Sequence, residues 1–179
     1  MGRAAHFFLS KGGRAMTENT FWRDLTSGRF AQMVRDEARG EQLNNSREVY
    51  NVMKPLFAQN DDVETFYCLF LNGRNRIISI EKMFSGSISS AAIYPREIVK
   101  RVIALKTSAV IVAHNHPSGC PNPSNDDRLI TRKIFMALAA IDVQLLDHIV
   151  VGDSYFSMAD NGWIKSIQEE FKELLCDQR

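Results

Sequence analysis

Residues 108–127 read SAVIVAHNHPSGCPNPSNDD, and they carry the strongest signals for both the fold and the candidate site. Its first part, Ser108 to Ala113, is a short apolar run typical of a strand buried on both faces. Three prolines and Gly119 then shape a loop over residues 117–123. We predict a helix after this loop, because apolar residues recur there at helical spacing: Ile130, Ile134, Leu138 and Ile141.

Upstream of this stretch, helix and strand signals also follow one another. Residues 45–48 read as a capping box that opens a helix, which Pro55 should end or kink. Residues 65–71 and 77–80 are apolar runs of strand length, and the Asn-Gly pair between them predicts a hairpin. The start of this ordered pattern indicates a folded domain over residues 45–179. Residues 1–44 are expected to form an N-terminal extension, partly disordered or helical, whose first 15 residues lack any periodic pattern.

Two further helices and one strand complete the prediction. Because strands alternate with helices, we expect an α/β fold with a layered mixed β-sheet flanked by helices. The apolar positions that carry this prediction are Ile98, Val99, Val102 and Ile103 after Pro95, the strand from Val143 to Val151, and Ile164, Ile167, Phe171 and Leu174 in a final helix.

Two of the four histidines, His114 and His116, stand one residue apart at the end of the apolar strand. On an extended backbone, residues i and i+2 point to the same face, so their imidazoles are expected to converge on one metal ion. The alternative is a turn at His116 and Pro117, with His114 a hydrogen-bonded core residue. The letters HNH do not indicate an HNH nuclease, since those enzymes spread their three residues over a ββα unit.

Asp127 is the candidate third ligand, in the first turn of the next helix and on the same face as Ile130 and Ile134. A helix N-terminus favours the ionised carboxylate. Two histidines and one carboxylate, with a fourth position left for water, are a catalytic zinc arrangement. The alternative is that Ser124 is only the N-cap and Asp127 its partner at the third helical position. The two roles do not exclude each other.

Composition narrows the class of protein. The chain of 179 residues suffices for one domain with a hydrophobic core, and its 45% apolar and 24% charged residues match an ordinary globular protein. The net charge of +1 gives no electrostatic case for binding nucleic acid, beyond a local basic groove. Three widely spaced cysteines form no disulfide framework and fit a reducing cytoplasm. No run of residues reaches the roughly 18 apolar residues of a membrane helix.

The stretch from His114 to Asp127 contains H-x-H, seven residues and S-x-x-D. This pattern resembles the JAMM signature of the JAB/MPN metalloprotease fold, which is of the cytidine-deaminase-like type. The fuller string H-N-H-P-S-G-x-P-x-P-S-x-x-D resembles the RadC branch of that fold. The resemblance extends from about Ser46 to Trp163 and includes the segments Glu64-Thr65-Phe66, Tyr94-Pro95-Arg96-Glu97, Leu146-Asp147-His148 and Tyr155-Phe156-Ser157.

The resemblance implies a metallopeptidase or isopeptidase acting on a protein or peptide, with one zinc per chain held by His114, His116 and Asp127. It implies that Ser124 hydrogen-bonds the attacking water or the oxyanion. It also implies a glutamate as general acid/base. Glu64 matches the family's spacing best, and Glu81 and Glu97 are alternatives. Glu64 also admits the interpretation of a solvated charge at the start of a strand.

Longer RadC-like proteins carry an N-terminal helix-hairpin-helix module linked with DNA binding, and fewer than 45 residues precede the core here. We therefore expect a cytoplasmic short form of the sort found on mobile elements, with no membrane partner and with little reason to expect nucleic acid as one. Two rival hypotheses stay open. One is a metal-containing binding module without turnover. The other is the DNA-repair role that the family's historical name suggests.

Two features near the motif each admit more than one interpretation. Cys120 stands where the family more often has a polar or acidic residue. It is a tolerated loop residue, a redox-sensitive neighbour of the metal, or an extra ligand. The pair Asp147-His148 either orients a metal-bound imidazole or forms a polar end to a strand.

Overall fold

The computed structural model describes residues 27–58, 62–86 and 93–176. The expectations for residues 1–15 therefore lie outside the described residues. None of the helices in these ranges is long and apolar enough to cross a membrane. The elements are α1 (Arg29–Ala38), α2 (Ser46–Phe57), β1 (Thr65–Leu71), β2 (Ile77–Ser85), α3 (Pro95–Leu105), β3 (Ala109–Asn115), α4 (Asn125–Ala139), β4 (Gln144–Val151), β5 (Tyr155–Ser157) and α5 (Trp163–Cys176).

The five strands form one mixed sheet in the order β2-β1-β3-β4-β5. Strand β1 pairs antiparallel with β2, as the predicted hairpin requires, and also with β3. Strand β3 runs parallel to β4, and β5 returns antiparallel to β4. Every residue of β1 and β3 is buried, because these strands are covered on both faces. The predicted α/β class, a layered mixed sheet flanked by helices, is confirmed.

The sheet separates two apolar cores, because successive residues of a strand point to opposite faces. Ile111 and Ala113 of β3 belong to the core that the sheet builds with α1 and α2. Val110 and Val112 belong to the core on the other face, with α3, α4 and α5. His114 continues the register of Val110 and Val112, so the sheet directs it toward the α4 side.

The sequence signals agree better with where the helices begin than with where they end or with which of their apolar residues are buried. Asn45 caps α2 by accepting a hydrogen bond from the backbone N–H of Glu48 at 2.9 Å. Helix α2 continues past Pro55 and ends at Phe57. Three apolar residues expected on inward faces are instead exposed: Ile103 by 66%, Ile141 by 37% and Leu174 by 60%.

The loop after β3 packs directly on the turn between β4 and β5. The backbone N–H of His116 donates to Val151 at 2.7 Å, and that of Asp153 donates to the Gly119 carbonyl at 2.8 Å. Gly119 has a φ of +81°, in the region that favours glycine. A Cβ atom on Gly152 would lie 2.2 Å from the carbonyl oxygen of Gly119. The absence of a side chain at residue 152 is therefore what lets the loop approach.

Replacement of Gly152 by alanine should destabilise the protein, because two backbone segments would have to separate. We expect a loss of about 1–3 kcal/mol in the free energy of unfolding, the usual cost of overpacking. Urea unfolding measures it. Gly73→Ala is the control, since a Cβ there would meet only the Ser108 hydroxyl at 3.7 Å. Equal unfolding midpoints for the two variants would contradict the close approach.

Candidate metal centre

Strand β3 brings His114 and His116 to one face of the sheet at its carboxyl end. The strand lies between β1 and β4, so hydrogen bonds on both sides fix its direction up to this point. The side chain of His114 is 1% exposed and that of His116 is 14% exposed. Their Nε2 atoms lie 3.0 Å apart. The predicted convergence of the two imidazoles is therefore present.

Helix α4 supplies the carboxylate. Ser124 and Asp127 form a capping box: the Ser124 hydroxyl accepts from the Asp127 N–H at 3.1 Å, and the Ser124 N–H donates to Asp127 Oδ2 at 2.7 Å. The same carboxylate reaches the imidazoles, with Oδ1 3.1 Å from His114 Nε2 and Oδ2 3.4 Å from His116 Nε2. Asp127 thus performs the capping role and joins the histidine cluster as well.

The donor set fits a divalent metal ion. His114, His116 and Asp127 each offer one ligand atom, and these atoms lie within 4.8 Å of one another. Ligands held at about 2.0–2.2 Å from a shared tetrahedral ion are themselves a little over 3 Å apart. The contacts of 3.0 to 3.4 Å within the cluster are of this size. Imidazole nitrogen and carboxylate oxygen are ligands that such ions accept.

The histidines and the carboxylate of the cluster shift one another's pKa values. Burial opposes ionisation of Asp127, but its close contacts with the imidazoles of His114 and His116 and with the Ser124 hydroxyl hold the pKa of its carboxyl far below the usual range. The hydrogen bond to Asp127 raises the pKa of His116 against the opposing effect of burial, and the Cys120 carbonyl and the charge of Glu64 add to the rise. The site therefore favours positive charge beside the Asp127 carboxylate.

Cys120 contacts the site through its backbone. Its carbonyl oxygen lies 2.7 Å from His116 Nδ1, while the residue as a whole is exposed. In the described part of the chain, the group of residues able to hold a metal together is His114, His116 and Asp127, without the Cys120 thiol. An acceptor at His116 Nδ1 favours the proton there and leaves Nε2 for the ion.

Asp147 and His148 contact different parts of the structure. His148 is fully buried and its Nε2 lies 2.8 Å from Nδ1 of His114. Asp147 instead accepts hydrogen bonds from its neighbour's N–H, from the Ser157 hydroxyl and from the Ala159 N–H. Of the two interpretations of this pair, contact with a candidate ligand applies to His148. Asp147 ties β4 to the segment after β5.

The three candidate glutamates have different surroundings. Glu64 immediately precedes β1 and lies close enough for its charge to raise the pKa of His116. Glu81 accepts hydrogen bonds from Arg101 at 2.7 and 2.5 Å, which lower the pKa of its carboxyl. Glu97 pairs with Arg96 and Lys100 at the surface. Glu81 and Glu97 are therefore each paired with cations, whereas the charge of Glu64 acts on His116.

Asn115, between the two histidines, is a site residue that the sequence pattern did not single out. Its Oδ1 accepts from the backbone N–H of Thr65 at 2.7 Å, and its Nδ2 donates to the Val63 carbonyl at 3.1 Å. These two bonds bracket Glu64. The signal in the sequence was its position, because the residue between i and i+2 points to the other face of the strand.

Comparison with known proteins agrees with this geometry. Residues 43–163 match the RadC-like JAB domain. The chain belongs to this family. A UPF0758 protein from Coxiella burnetii is 54% identical over 110 residues, which cover 60% of this chain and 49% of that protein. A UPF0758 protein from Thiobacillus denitrificans is 41% identical over 131 residues, covering 73% of this chain and 58% of that protein.

The RadC-like chain spans about half the length of the curated relatives it matches. The matched region contains all of β1 to β5 and the three cluster residues. The resemblance to the RadC branch of the JAB/MPN fold is therefore confirmed for the domain.

In the metal-free RadC-like domain, Asp127→Asn should lower the pKa of His116, since the bond to Asp127 is the main cause of its rise. A histidine whose pKa is raised on folding stabilises the folded state. Its contribution is complete when the pH is below the pKa of the unfolded state, about 6.5, and is lost as the pH rises through the pKa of the folded state. The stability advantage of the wild type over Asp127→Asn should therefore shrink above about pH 6.5. Each pKa unit removed corresponds to about 1.4 kcal/mol.

Urea unfolding in the presence of a chelator, from about pH 6 to pH 9, measures this difference. The lowered pKa of Asp127 contributes stability above about pH 4 and is constant over that range. His116→Gln is the matched control and should remove the pH dependence. A gap between wild type and Asp127→Asn that stays constant with pH would contradict the coupling.

Proposed function

We propose that this chain is a zinc-dependent metallohydrolase that cleaves a peptide or isopeptide bond. The observation that carries the proposal is the convergence of two imidazole nitrogens and one carboxylate at 3.0 to 3.4 Å, next to Glu64. His114, His116 and Asp127 would hold the ion. When bound, zinc would polarise a substrate carbonyl and lower the pKa of water at the site.

Glu64 is the proposed general acid/base. It would accept a proton from the attacking water and deliver it to the leaving amine. Its backbone is held from both neighbouring strands: the Glu64 carbonyl accepts from the Gly86 N–H at 2.9 Å, and Asn115 bonds to the residues on either side. A backbone held in this way supports proton transfer, because the side chain of a general base must stay within hydrogen-bond reach of the proton it takes.

Ser124 is the proposed donor to the tetrahedral oxygen of the substrate. Its hydroxyl now donates to Asp127 Oδ2 at 2.6 Å while accepting from the Asp127 N–H. To serve the substrate, the hydroxyl proton must rotate away from Asp127, and the acceptor function of the cap can persist while it does so. The two roles of Ser124 therefore use different parts of the same hydroxyl group.

Metal content is the first test. The purified protein should contain about one zinc per chain, and His114→Ala/His116→Ala should contain none. Cys120→Ser should keep its zinc, because the backbone carbonyl that contacts His116 remains. Elemental analysis after dialysis measures all three proteins. A wild type that takes up no zinc at neutral pH would overturn the hydrolase proposal.

Turnover is the second test. In zinc-loaded protein, Glu64→Gln should lower the rate of peptide or isopeptide cleavage about 10²–10⁴-fold while zinc content stays unchanged. Glu97→Gln is the control, since Glu97 pairs only with surface cations in the contacts described above. A panel of fluorogenic peptides and isopeptide-linked conjugates supplies the assay. If Glu64→Gln retains the full rate, the assignment of the base is wrong.

A wild type that holds zinc but cleaves no member of the panel would favour the metal-containing binding module. The DNA-repair alternative predicts binding to short duplexes that weakens steeply with salt, because phosphate contacts release counterions. Both measurements use the same protein preparation.

A further inference from the structure

A series of hydrogen-bonded, buried polar groups connects the candidate ligand His114 to the candidate ligand Asp127. The residues between them have no part in the proposed chemistry. His114 Nδ1 lies 2.8 Å from His148 Nε2, and His148 Nδ1 lies 2.6 Å from the Thr131 hydroxyl. The Thr131 hydroxyl in turn lies 2.5 Å from the backbone carbonyl of Asp127. His114, His148 and Thr131 are each 0% exposed, so protein groups alone supply these contacts.

The donor and the acceptor of every hydrogen bond in this series of polar groups follow from one group. The carbonyl oxygen of Asp127 can only accept, so the Thr131 hydroxyl donates to it. The single hydroxyl proton is then used, and Thr131 must accept from Nδ1–H of His148. A neutral imidazole with its proton on Nδ1 has its lone pair on Nε2. His148 Nε2 therefore accepts from Nδ1–H of His114.

His148 takes part as a neutral ring. Its ring is buried, and its two nitrogens contact His114 and the Thr131 hydroxyl, neither of which carries a negative charge, so a cationic ring would be costly there. One of its nitrogens is therefore a donor and the other an acceptor. The face of Phe66 lies near both rings, with centroids 5.6 Å from His148 and 6.1 Å from His114. These apolar surroundings give the two rings no alternative polar partner on that side.

We infer that Thr131 and His148 form a hydrogen-bond relay that places a proton on Nδ1 of His114 and so keeps its Nε2 available to a metal ion. Both are positioning residues, since neither belongs to the ligand cluster. The relay is closed: it starts at the ligand on β3, passes through β4, and ends on the backbone of the ligand on α4. The inference builds on the proposed metal site, but the proton positions are a property of the metal-free protein.

The relay makes a specific prediction for Thr131→Val, which removes the hydroxyl and keeps the volume. His148 would then have no acceptor for Nδ1–H and would move its proton to Nε2, where His114 Nδ1 can accept it. His114 would carry its own proton on Nε2, where Asp127 Oδ1 lies 3.1 Å away. That proton occupies the position a metal needs, so zinc affinity should fall about 10–100-fold. Thr131→Ser keeps the hydroxyl and should bind zinc like the wild type.

The experiment combines two readouts on the full chain. Long-range ¹H–¹⁵N spectra of the metal-free protein report which ring nitrogen of each histidine carries the proton, with His148→Gln to assign the His148 signals among the four histidines. The expected result is Nδ1–H for His148 in the wild type and in Thr131→Ser, and Nε2–H in Thr131→Val. Competition with a zinc-binding dye then gives the three affinities.

Nε2–H on His148 in the wild type would overturn the inference. So would equal zinc affinity in Thr131→Val and Thr131→Ser, since a purely structural role for residue 131 predicts no rescue by the hydroxyl. If Thr131→Val does not fold, the wild-type spectrum still decides. If the wild type binds no zinc, the proposed function fails while the proton position on His148 continues to test the relay.

Discussion

The buried carboxylate of Asp127 is the constraint on which the site and its surroundings depend. An ionised carboxylate that is 3% exposed must find partners, because its desolvation is otherwise far too costly. It finds them in the imidazole of His114 at the end of β3, in that of His116 directly after the strand, and in the Ser124 cap of its own helix. The start of α4, the end of β3 and the loop between them are therefore tied to one charged group.

The sheet and the helix packed on it hold the converging side chains on rigid elements. Strand β3 is buried along its whole length and paired on both sides as far as His114, so the position of His114 is set by the pairing of the strand with β1 and β4. Helix α4 packs Ile130 and Ile134 into the same core. The ligand atoms are thus presented by rigid elements, and the loop of residues 117–123 only has to connect them.

Local signals explain why much of this was predictable from sequence. The apolar run of β3, the H-x-H spacing and the capping pair Ser124 and Asp127 each act within a few residues, and all three are present. The contacts of His148 were not predictable, because they depend on the register of β4 against β3, which contains an irregularity between Val110 and Ile111. Thr131 gave only the signal of a polar residue on a buried helix face.

The unequal burial of the ligand set gives the centre one accessible side. His114 and Asp127 are closed off by the core, whereas His116 retains a 14% exposed side chain beside the loop. An exchanging ion, a chelator and a substrate would all approach the centre from the side of His116. An ion that enters on this side would meet the imidazole of His116 first, and an ion that leaves would lose contact with it last. The route of exchange therefore lies beside the loop, while the two ligands that are hardest to reach lie in the core.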